Sequence, residues 1–451
     1  MIFFRYSNIL LLLALSLLTG AVSSQSSDEL QKVMDELATI KKDYENRISV
    51  LENQIKSMKE AGATNNQAPQ ISSNTQPARA RAVSKFNPAV GVVLNGKFSS
   101  FSKPSSELAG FAIGHEGERG REGLGIGESE MSFSANVDDK FYGTITAAIV
   151  REEGEDKVEL EEAYLQTLPG LQFIDGLSIK AGRAFWTLGY MNEHHAHADD
   201  FADRPLPYRA FLNKAYNDDG VELSYVLPTP FYSEIGGGAF RGDDFPFGGG
   251  DGEGIGAWSA YARIGSDIGL NQSFRIGGYA LIGEAKGGRS ANEDTVTFVG
   301  DTDLYSMDFR YTWAPTGNAR EKEVSFQAET FWRDENGTYN DAEAGTGDVR
   351  HHDTSMGWYA QGVYKFSQSW RAGLRYSELE SPSINAGLNG SALDGRNHDP
   401  RSWSAMVDWT NSEFSRVRFQ WSNEKLNQNT TDNQFMIQYI VSAGAHRAHK
   451  Y

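Results

Sequence analysis

The sequence predicts an all-β fold: a transmembrane antiparallel β-barrel of about 16 strands, with an N-terminal α-helical coiled-coil segment. Three observations predict it: an export signal at the N-terminus, polar and apolar residues that alternate from Phe86 onward, and connections between the alternating stretches that are by turns short and long. The chain then divides into a signal peptide (1–24), a coiled coil (28–60), a flexible linker (61–85) and the barrel (86–451).

Residues 1–24 have the three parts of a secretory signal peptide. Arg5 supplies the basic residue, the apolar run extends from Ile9 to Leu18, and small residues follow at 20–24. A membrane-spanning helix needs about 20 apolar residues, and this run is shorter. We therefore predict that the segment is removed on export, the alternative being an uncleaved anchor.

Residues 28–60 are predicted to form a periplasmic coiled coil. Apolar residues recur in steps of three and four, with one stutter near Tyr44. They are Leu30, Val33, Leu37, Ile40, Tyr44, Ile48, Leu51, Ile55 and Met58. A single helix would leave this stripe exposed, so we predict self-association, the alternative being a helix that folds back on the barrel. Residues 61–85 are polar and aperiodic, which is typical of a linker.

From Phe86 onward the apolar period changes to two, which is the period of a strand with one apolar and one polar face. The stretches Ser402–Trp409 and Arg416–Ser422 alternate cleanly. The candidate strands lie near 87–101, 124–137, 140–150, 157–168, 177–187, 219–227, 231–241, 255–266, 271–284, 303–314, 323–333, 355–366, 369–379, 401–410, 414–424 and 433–451. An even number of strands is typical of bacterial outer-membrane barrels.

The connections between these strands support the same fold. Of every second connection, most are short, as at Asp138-Asp139 and Ser367-Gln368, while two of this set, 169–176 and 315–321, are longer. The long ones are 102–123, 188–218, 242–254, 285–302, 334–354 and 380–400. Outer-membrane barrels combine short periplasmic turns with longer external loops. We therefore predict a barrel surrounded by lipid in the outer membrane of a Gram-negative bacterium, with the coiled coil in the periplasm.

Composition excludes several classes of function. The chain has no Cys, so it forms neither disulfides nor thiolate metal sites. Its formal net charge of -18 argues against a nucleic-acid partner, because such binding needs a basic face. No catalytic residue is predicted, and we expect that the protein is not an enzyme. Glu159, Glu161 and Glu162 are interpreted as charges of the lumen or of a strand edge.

The segment from Glu193 to Asp200 has the densest set of metal-binding groups, with three imidazoles and three carboxylates within eight residues. Imidazole with carboxylate suits Zn²⁺, Ni²⁺ or Cu²⁺. The candidate ligands are Glu193, His194, His195, His197, Asp199 and Asp200. His351 and His352, predicted in another external loop, could add ligands. The alternative is a solvated polar loop. No cofactor is required, and Zn²⁺ or another divalent cation would be a ligand.

Polar residues opposite the apolar positions of their strands are candidates for lining the lumen. They are Arg310, Arg371, Arg375, Arg416, Arg418, Glu128, Glu130 and Asp408. Opposed basic and acidic walls would create a transverse field in the pore. Carboxylates of the external loops, such as Asp243 and Asp348, would draw cations to the mouth, or would only keep the loops soluble and bridge divalent ions of the lipid layer.

Several stretches resemble known outer-membrane families. Ile179–Phe185 with Gly189-Tyr190 resembles a strand-into-loop segment of phosphate-selective porins, and the coiled-coil leader resembles that of siderophore porins. Other stretches resemble proteobacterial porin-like proteins described as zinc-regulated, TonB-dependent outer-membrane receptors. These stretches are Gly127–Glu130, Asp138–Gly143, Asn192–Phe201 and Gly444–Tyr451. The resemblance implies metal-linked uptake. A TonB-dependent receptor also has a globular plug, which the roughly 60 residues ahead of this barrel do not provide.

These observations predict a porin-type channel for diffusion of small polar solutes, with cations or metal complexes favoured and the acidic, His-containing loop 188–218 as selectivity element. The coiled coil would hold a homotrimer. The alternative is a metal (zinc) or metal-siderophore uptake receptor that uses the same barrel without a plug domain. A further alternative, a closed barrel with a structural or enzymatic role, typically needs fewer strands.

Overall fold

The computed structural model describes residues 88–104, 107–152, 155–168, 174–248, 254–289, 295–412 and 414–444. The predicted signal peptide, coiled coil and linker lie outside these residues, as do His446, His449 and the terminal Tyr451. Within the described ranges, no helix combines the length and the apolar character needed to cross a membrane.

The described chain forms one closed antiparallel barrel of sixteen strands, and the predicted fold class is confirmed for this part of the chain. The strands are β1 (Ala89–Phe101), β2 in two pieces (Gly123–Ile126 and Ser129–Asn136), β3 (Phe141–Glu152), β4 (Glu155–Thr167), β5 (Leu177–Phe185), β6 (Asn217–Val226), β7 (Tyr232–Phe240), β8 (Ala257–Asp267), β9 (Gln272–Gly288), β10 (Val296–Trp313), β11 (Glu323–Asp341), β12 (Val349–Lys365), β13 (Trp370–Glu380), β14 (Arg401–Ser412), β15 (Ser415–Lys425) and β16 (Asp432–Gly444). Each strand pairs with its neighbours in sequence, and β16 pairs with β1, which closes the cylinder.

The two-residue period separates the outer face of the barrel from its inner face. On β14, Trp403 and Trp409 are exposed, whereas Ser402, Ser404 and Asp408 are buried. Neighbouring side chains of a strand point to opposite faces of the sheet, so the exposed tryptophans lie on the outside. The same order repeats around the barrel and creates the apolar outer surface that lipid requires.

Two predicted external loops are strand instead. The stretches 285–302 and 334–354 mostly extend β9, β10, β11 and β12, and leave only residues 289–295 and 342–348 as connections. His351 and His352 therefore lie in β12, and their predicted place in a loop is wrong. The hydrogen-bonded ladder continues beyond the apolar belt, and there the outward side chains are polar. Polar residues on the outer face therefore do not show where these strands end.

The connections still separate the barrel into two ends. At the turn end, strands are joined by short connections such as 137–140, 227–231 and 366–369. At the loop end, the connections include 102–122 and 381–400.

The connection between β5 and β6, residues 186–216, folds into the barrel and is called the inserted segment here. Its apolar residues are buried against inward-facing aromatic residues of the wall, among them Phe331 and Tyr359. The segment includes a short helix, α1 (Leu206–Leu212), of which every residue is buried. Two features bound this helix: Pro207 in its first turn, and Asn213 in the left-handed conformation at its end.

Candidate functional site

The inserted segment lies across the lumen and has a cavity on each side. The cavity towards the turn end has a volume of about 240 Å³ and is lined by residues that include Ser369 and Phe414. The cavity towards the loop end has a volume of about 190 Å³ and reaches Glu118 in the connection 102–122. Asp199 of the inserted segment lines both cavities. A solute that crosses the barrel through these cavities therefore passes Asp199.

Two acidic residues of the inserted segment are paired with arginines of the barrel wall. Asp200 Oδ1 lies 2.6 Å from Nη1 of Arg371 on β13, and Asp203 Oδ1 lies 2.7 Å from Nη2 of Arg375 on the same strand. These ion pairs hold the segment against one side of the lumen. Each carboxylate is paired with a guanidinium in a partly buried setting. Removing either partner would therefore leave an uncompensated charge and cost free energy of folding.

Two further wall strands also hold the segment. Glu193 is paired with Arg263 of β8. Arg418 of β15 donates a hydrogen bond of 2.7 Å to the backbone carbonyl of Asp199. The carboxylate of Asp199 is paired within the segment, 2.6 Å from Nε of Arg204.

Two histidines of the segment face the opposite, acidic side of the wall. His195 Nδ1 lies 3.2 Å from a carboxylate oxygen of Glu130 on β2 and 3.2 Å from one of Glu161 on β4, and its Nε2 lies 2.9 Å from Glu162. His197 Nδ1 lies 2.7 Å from the second oxygen of Glu130, and the two imidazole rings stack with centroids 5.7 Å apart. The wall thus presents glutamates to these histidines from β2 and β4 and arginines to the acidic residues of the segment from β8 and β13.

A β-bulge places two consecutive glutamates on the inner face of β4. Thr146 of β3 is opposite Glu162, while the next residue, Ala147, is opposite Leu160, so Glu161 has no partner in the ladder. An extra residue in one strand interrupts the alternation of faces. Glu161 and Glu162 therefore both reach the same imidazole ring, from two directions.

The environment gives His194 and His195 opposite acid–base properties. Burial lowers the pKa of His194 to about 4, with the nearby arginines acting in the same direction and a hydrogen bond to the Tyr190 carbonyl opposing them. Burial alone would also lower the pKa of His195, but the charge of Glu130 and the close contacts of the ring with Glu130, Glu161 and Glu162 raise it well above its ordinary value. His194 is therefore neutral at physiological pH.

The aspartates of the segment differ in the same way. Burial raises the pKa of Asp199 to about 6, even though Arg204 and Arg418 favour its charged form. Burial also opposes ionisation of Asp200, but here Arg371 and three further arginines outweigh it and lower the pKa. Asp199 is consequently the carboxylate of the segment that changes charge closest to neutral pH.

Glu329 of β11 anchors the start of the inserted segment. It accepts hydrogen bonds from the hydroxyl groups of Tyr208, over 2.8 Å, and Tyr359, over 2.5 Å. It also accepts bonds of 3.2 Å from the backbone N–H groups of Tyr190 and Met191. This buried carboxylate therefore ties three parts of the chain together. No local pattern in the sequence indicates which groups Glu329 contacts, because these partners lie far apart along the chain.

The structure separates the six residues predicted as metal ligands. His195 and His197 are stacked, but His194 is directed to the Tyr190 carbonyl, and the three acidic residues have arginine partners. Among the described residues, the side chains of Glu130, Glu161 and His195 form one group whose ligand atoms are close enough together to hold a metal ion. Of the six predicted ligands, only His195 belongs to this group. Its two partners, Glu130 and Glu161, were not among the predicted ligands.

The residues predicted to line the pore are all directed inward. Seven of them contact the inserted segment itself: Arg310, Arg371, Arg375, Arg416, Arg418, Glu128 and Glu130. Asp408 supports it indirectly through Arg371 and Arg418. These side chains therefore position the segment as well as bordering the lumen. The sequence interpretation did not include Arg263, which pairs with Glu193.

Comparison of the sequence with known proteins gives one relative and no family. No protein-family model matches the chain. An uncharacterized protein of Aquifex aeolicus (strain VF5) is 28% identical over 397 residues, which cover 81% of this chain and 80% of the relative.

Several solved structures are similar in backbone. The outer membrane channel DcaP of Acinetobacter baumannii is 12% identical with a TM-score of 0.49, covering 79% of this chain and 97% of its own. A loop L8 deletion mutant of OmpT, an outer membrane protein of Vibrio cholerae, is 11% identical with a TM-score of 0.49, covering 79% and 99%. An anion-selective porin from Comamonas acidovorans is 8% identical with a TM-score of 0.49, covering 79% and 99%. The barrel architecture of this chain rests on its own strand pairing.

Proposed function

We propose that this chain is a porin-type channel of the Gram-negative outer membrane, through which small polar solutes diffuse past the inserted segment. The observation that carries the proposal is the closed sixteen-stranded barrel with an apolar outer face and a charged segment across its polar interior. Barrels of this strand number leave an aqueous channel, whereas barrels of about eight strands are filled by their own side chains.

The inserted segment is the selectivity element of this channel. The segment borders both cavities. It carries charged side chains, among them Asp199, where the two cavities come closest to each other. Arg310 and Arg416 border the turn-end cavity on the basic side, while Glu128 borders the loop-end cavity on the acidic side. Opposed charges of this kind orient polar solutes and exclude apolar ones.

Cations and metal complexes are the favoured solutes. In the described loop-end connections, carboxylates outnumber the basic residues Lys103, Arg119, Arg121, Arg241, Arg289 and Arg396. The carboxylates are Glu107, Glu116, Glu118, Glu122, Asp243, Asp244, Glu343, Asp348, Asp394 and Asp399. A mouth with this charge raises the local concentration of cations.

Planar-bilayer recording tests the proposal. Purified protein should insert as discrete conductance steps, and its reversal potential in a KCl gradient should show a preference for K⁺. The double variant E116Q/E118Q should reduce that preference, whereas E321Q, in the turn-end connection 314–322, should leave it unchanged. Protein that inserts but never conducts would refute the channel; conductance without cation preference would refute only the selectivity.

Assembly as a homotrimer through the coiled coil is part of the proposal. Chemical cross-linking of the full-length protein in detergent should give a three-chain product. A variant lacking residues 28–60 should give less of it. A monomer in both cases would contradict the trimer and leave the channel proposal standing.

A second candidate function is a plug-free uptake receptor for a metal or a metal-siderophore complex. The observation that favours it is the meeting of His195 with Glu130, Glu161 and Glu162 inside the lumen. A receptor would bind its solute saturably at low concentration, whereas a diffusion channel would show flux proportional to concentration. Uptake of radioactive zinc into proteoliposomes, measured over a range of concentrations, separates the two.

A further inference from the structure

We infer that Glu130, Glu161 and His195 form a binding site for one divalent transition-metal ion, with Zn²⁺ as the best-suited ion. The site goes beyond channel function, because it requires only that the folded barrel bind the ion, whether or not the barrel conducts. Its ligand atoms would be His195 Nδ1, one oxygen of Glu130 and one oxygen of Glu161. These three atoms come from the inserted segment, β2 and β4.

The spacing of these atoms matches a metal coordination sphere. Both carboxylate oxygens lie 3.2 Å from His195 Nδ1, and all three ligand atoms lie within 4.8 Å of one another. Zinc binds nitrogen and oxygen ligands at about 2.0–2.2 Å, which in tetrahedral geometry separates neighbouring ligands by about 3.4 Å. An ion could therefore sit between the three groups with only small side-chain movement.

Two of the ligand atoms make no hydrogen bond. Glu161 is 8% exposed, and its oxygen that faces the ring lies 3.2 Å from His195 Nδ1 as an ion pair, but neither atom has hydrogen-bond geometry. A buried polar atom without a hydrogen bond costs free energy, and these two atoms face each other. A cation bound between them would satisfy both.

The surrounding groups orient the ligands as metal sites require. Binding of the ion displaces the proton of His195 Nδ1 into solvent, while Glu162 keeps the hydrogen bond from Nε2; the lone pair on Nδ1 is then directed at Glu130 and Glu161. The second oxygen of Glu130 is fixed by His197 Nδ1 at 2.7 Å. Carboxylate–histidine–metal arrangements use this same order of groups.

The bulge in β4 is what makes the site. A regular strand would turn either Glu161 or Glu162 to the outer face. Because the extra residue lets both face inward, one glutamate is placed at each nitrogen of the ring. The neighbouring Ala196 borders the loop-end cavity and His197 the turn-end cavity, so the site lies next to both cavities.

The chemistry of the ligands selects the class of ion. One imidazole with two carboxylates suits borderline ions such as Zn²⁺, whereas Ca²⁺ and Mg²⁺ prefer ligand sets made of oxygen alone. An ion held by the segment and by two wall strands would also fasten Glu193–Ala198 to the acidic side of the lumen. Binding to the folded state alone stabilises a protein, so Zn²⁺ should raise the thermal unfolding temperature.

Isothermal titration calorimetry with ZnCl₂ tests the site. The full chain would be purified without a polyhistidine tag and stripped of metal with a chelator. We expect one saturable site per chain. E161Q should weaken binding at least tenfold, and E162Q by about 10- to 100-fold, which is the usual effect of losing an orienting partner. H194Q is the matched control and should change the affinity by less than twofold.

Two readouts keep the result interpretable if a variant folds poorly. Heat-modified mobility on gels confirms that each variant is a folded barrel. In the unmodified protein, Co²⁺ should produce a visible absorption band that Zn²⁺ removes and Ca²⁺ does not. The inference is overturned if the unmodified protein takes up no Zn²⁺, if H194Q abolishes binding while E161Q retains it, or if Ca²⁺ displaces the Co²⁺.

Discussion

Arg418 donates a hydrogen bond from Nε to Oδ1 of Asp408 over 2.9 Å, and neither side chain is exposed. Asp408 also accepts a hydrogen bond of 2.6 Å from Arg371, and Arg371 holds Asp200 of the inserted segment. One buried carboxylate of the wall thus positions two arginines, and both of them contact the segment. The seating of the segment depends on this wall network as much as on its own sequence.

Replacing Asp408 with Asn should strongly destabilise the barrel. The change leaves the buried Arg418 guanidinium without its ionic partner, and removing one member of a buried pair typically costs about 3–5 kcal/mol. Urea unfolding in detergent, followed by tryptophan fluorescence, measures the loss. D243N is the control: Asp243 pairs with the exposed Arg241, and such pairs contribute about 0–1 kcal/mol. Equal losses for the two variants would contradict the buried network.

Replacing Asp200 with Asn should loosen the inserted segment and leave the barrel folded. The variant loses the ion pair of 2.6 Å with Arg371, while Arg371 keeps its bond to Asp408. A hydrogen bond to a charged group contributes about 1.5–3 kcal/mol, so the seated state becomes less populated. Single-channel recordings should show larger and more frequent conductance fluctuations. D139N, in the turn-end connection 137–140, should give the same conductance trace as the unmodified protein.

Gly189 should not tolerate a side chain. Its φ is +79°, and a Cβ there would overlap a carboxylate oxygen of Glu329 and approach the Tyr208 hydroxyl. G189A therefore combines backbone strain of about 1–2 kcal/mol with displacement of the anchor of the segment. G317A is the matched control. Gly317 has nearly the same φ, +74°, but the space around it is open, so this variant has the backbone strain without the displacement. Thermal melts should show a larger loss for G189A; equal losses would mean that strain alone matters.

Selectivity should change with pH around the pKa of Asp199, which burial raises to about 6. Lowering the pH from about 7.5 to about 5 protonates Asp199, so the preference for cations should fall with a midpoint near 6. D199N should remove that transition, whereas H194Q should keep it, since burial holds the pKa of His194 at about 4. Reversal potentials measured over this pH range provide the check.

The raised pKa of Asp199 also fixes the sign of its effect on stability. The ordinary value for this carboxyl group is 3.8, so the folded state binds the proton more tightly than the unfolded chain does. The contribution of Asp199 therefore favours folding as the pH falls from about 6 to about 4 and is lost as the pH rises through 6. In D199N this part of the pH dependence should be absent from unfolding curves measured by urea.

Some features of the site leave a trace in the sequence. In β4 the outward apolar residues are Val158, Leu160 and Leu165, so the alternation slips by one step at the pair Glu161-Glu162. Two adjacent glutamates at a slipped step indicate a bulge. The strand extensions beyond the apolar belt are harder to recognise in the sequence. There the outward residues are polar, and the buried inward residues, such as Phe298 and Tyr339, are aromatic.

The sequence by itself determined the barrel: a period of two residues, repeated between short and long connections, is a local pattern that places each strand and its lipid-facing side. Only the tertiary structure decided that residues 186–216 enter the lumen, that His194 and His195 point to different sides, and that His195 meets Glu130 and Glu161. The physical reason is distance along the chain. Contacts such as Tyr208 with Glu329, or Asp200 with Arg371, form between residues that become neighbours only when the sheet closes. No local pattern encodes them.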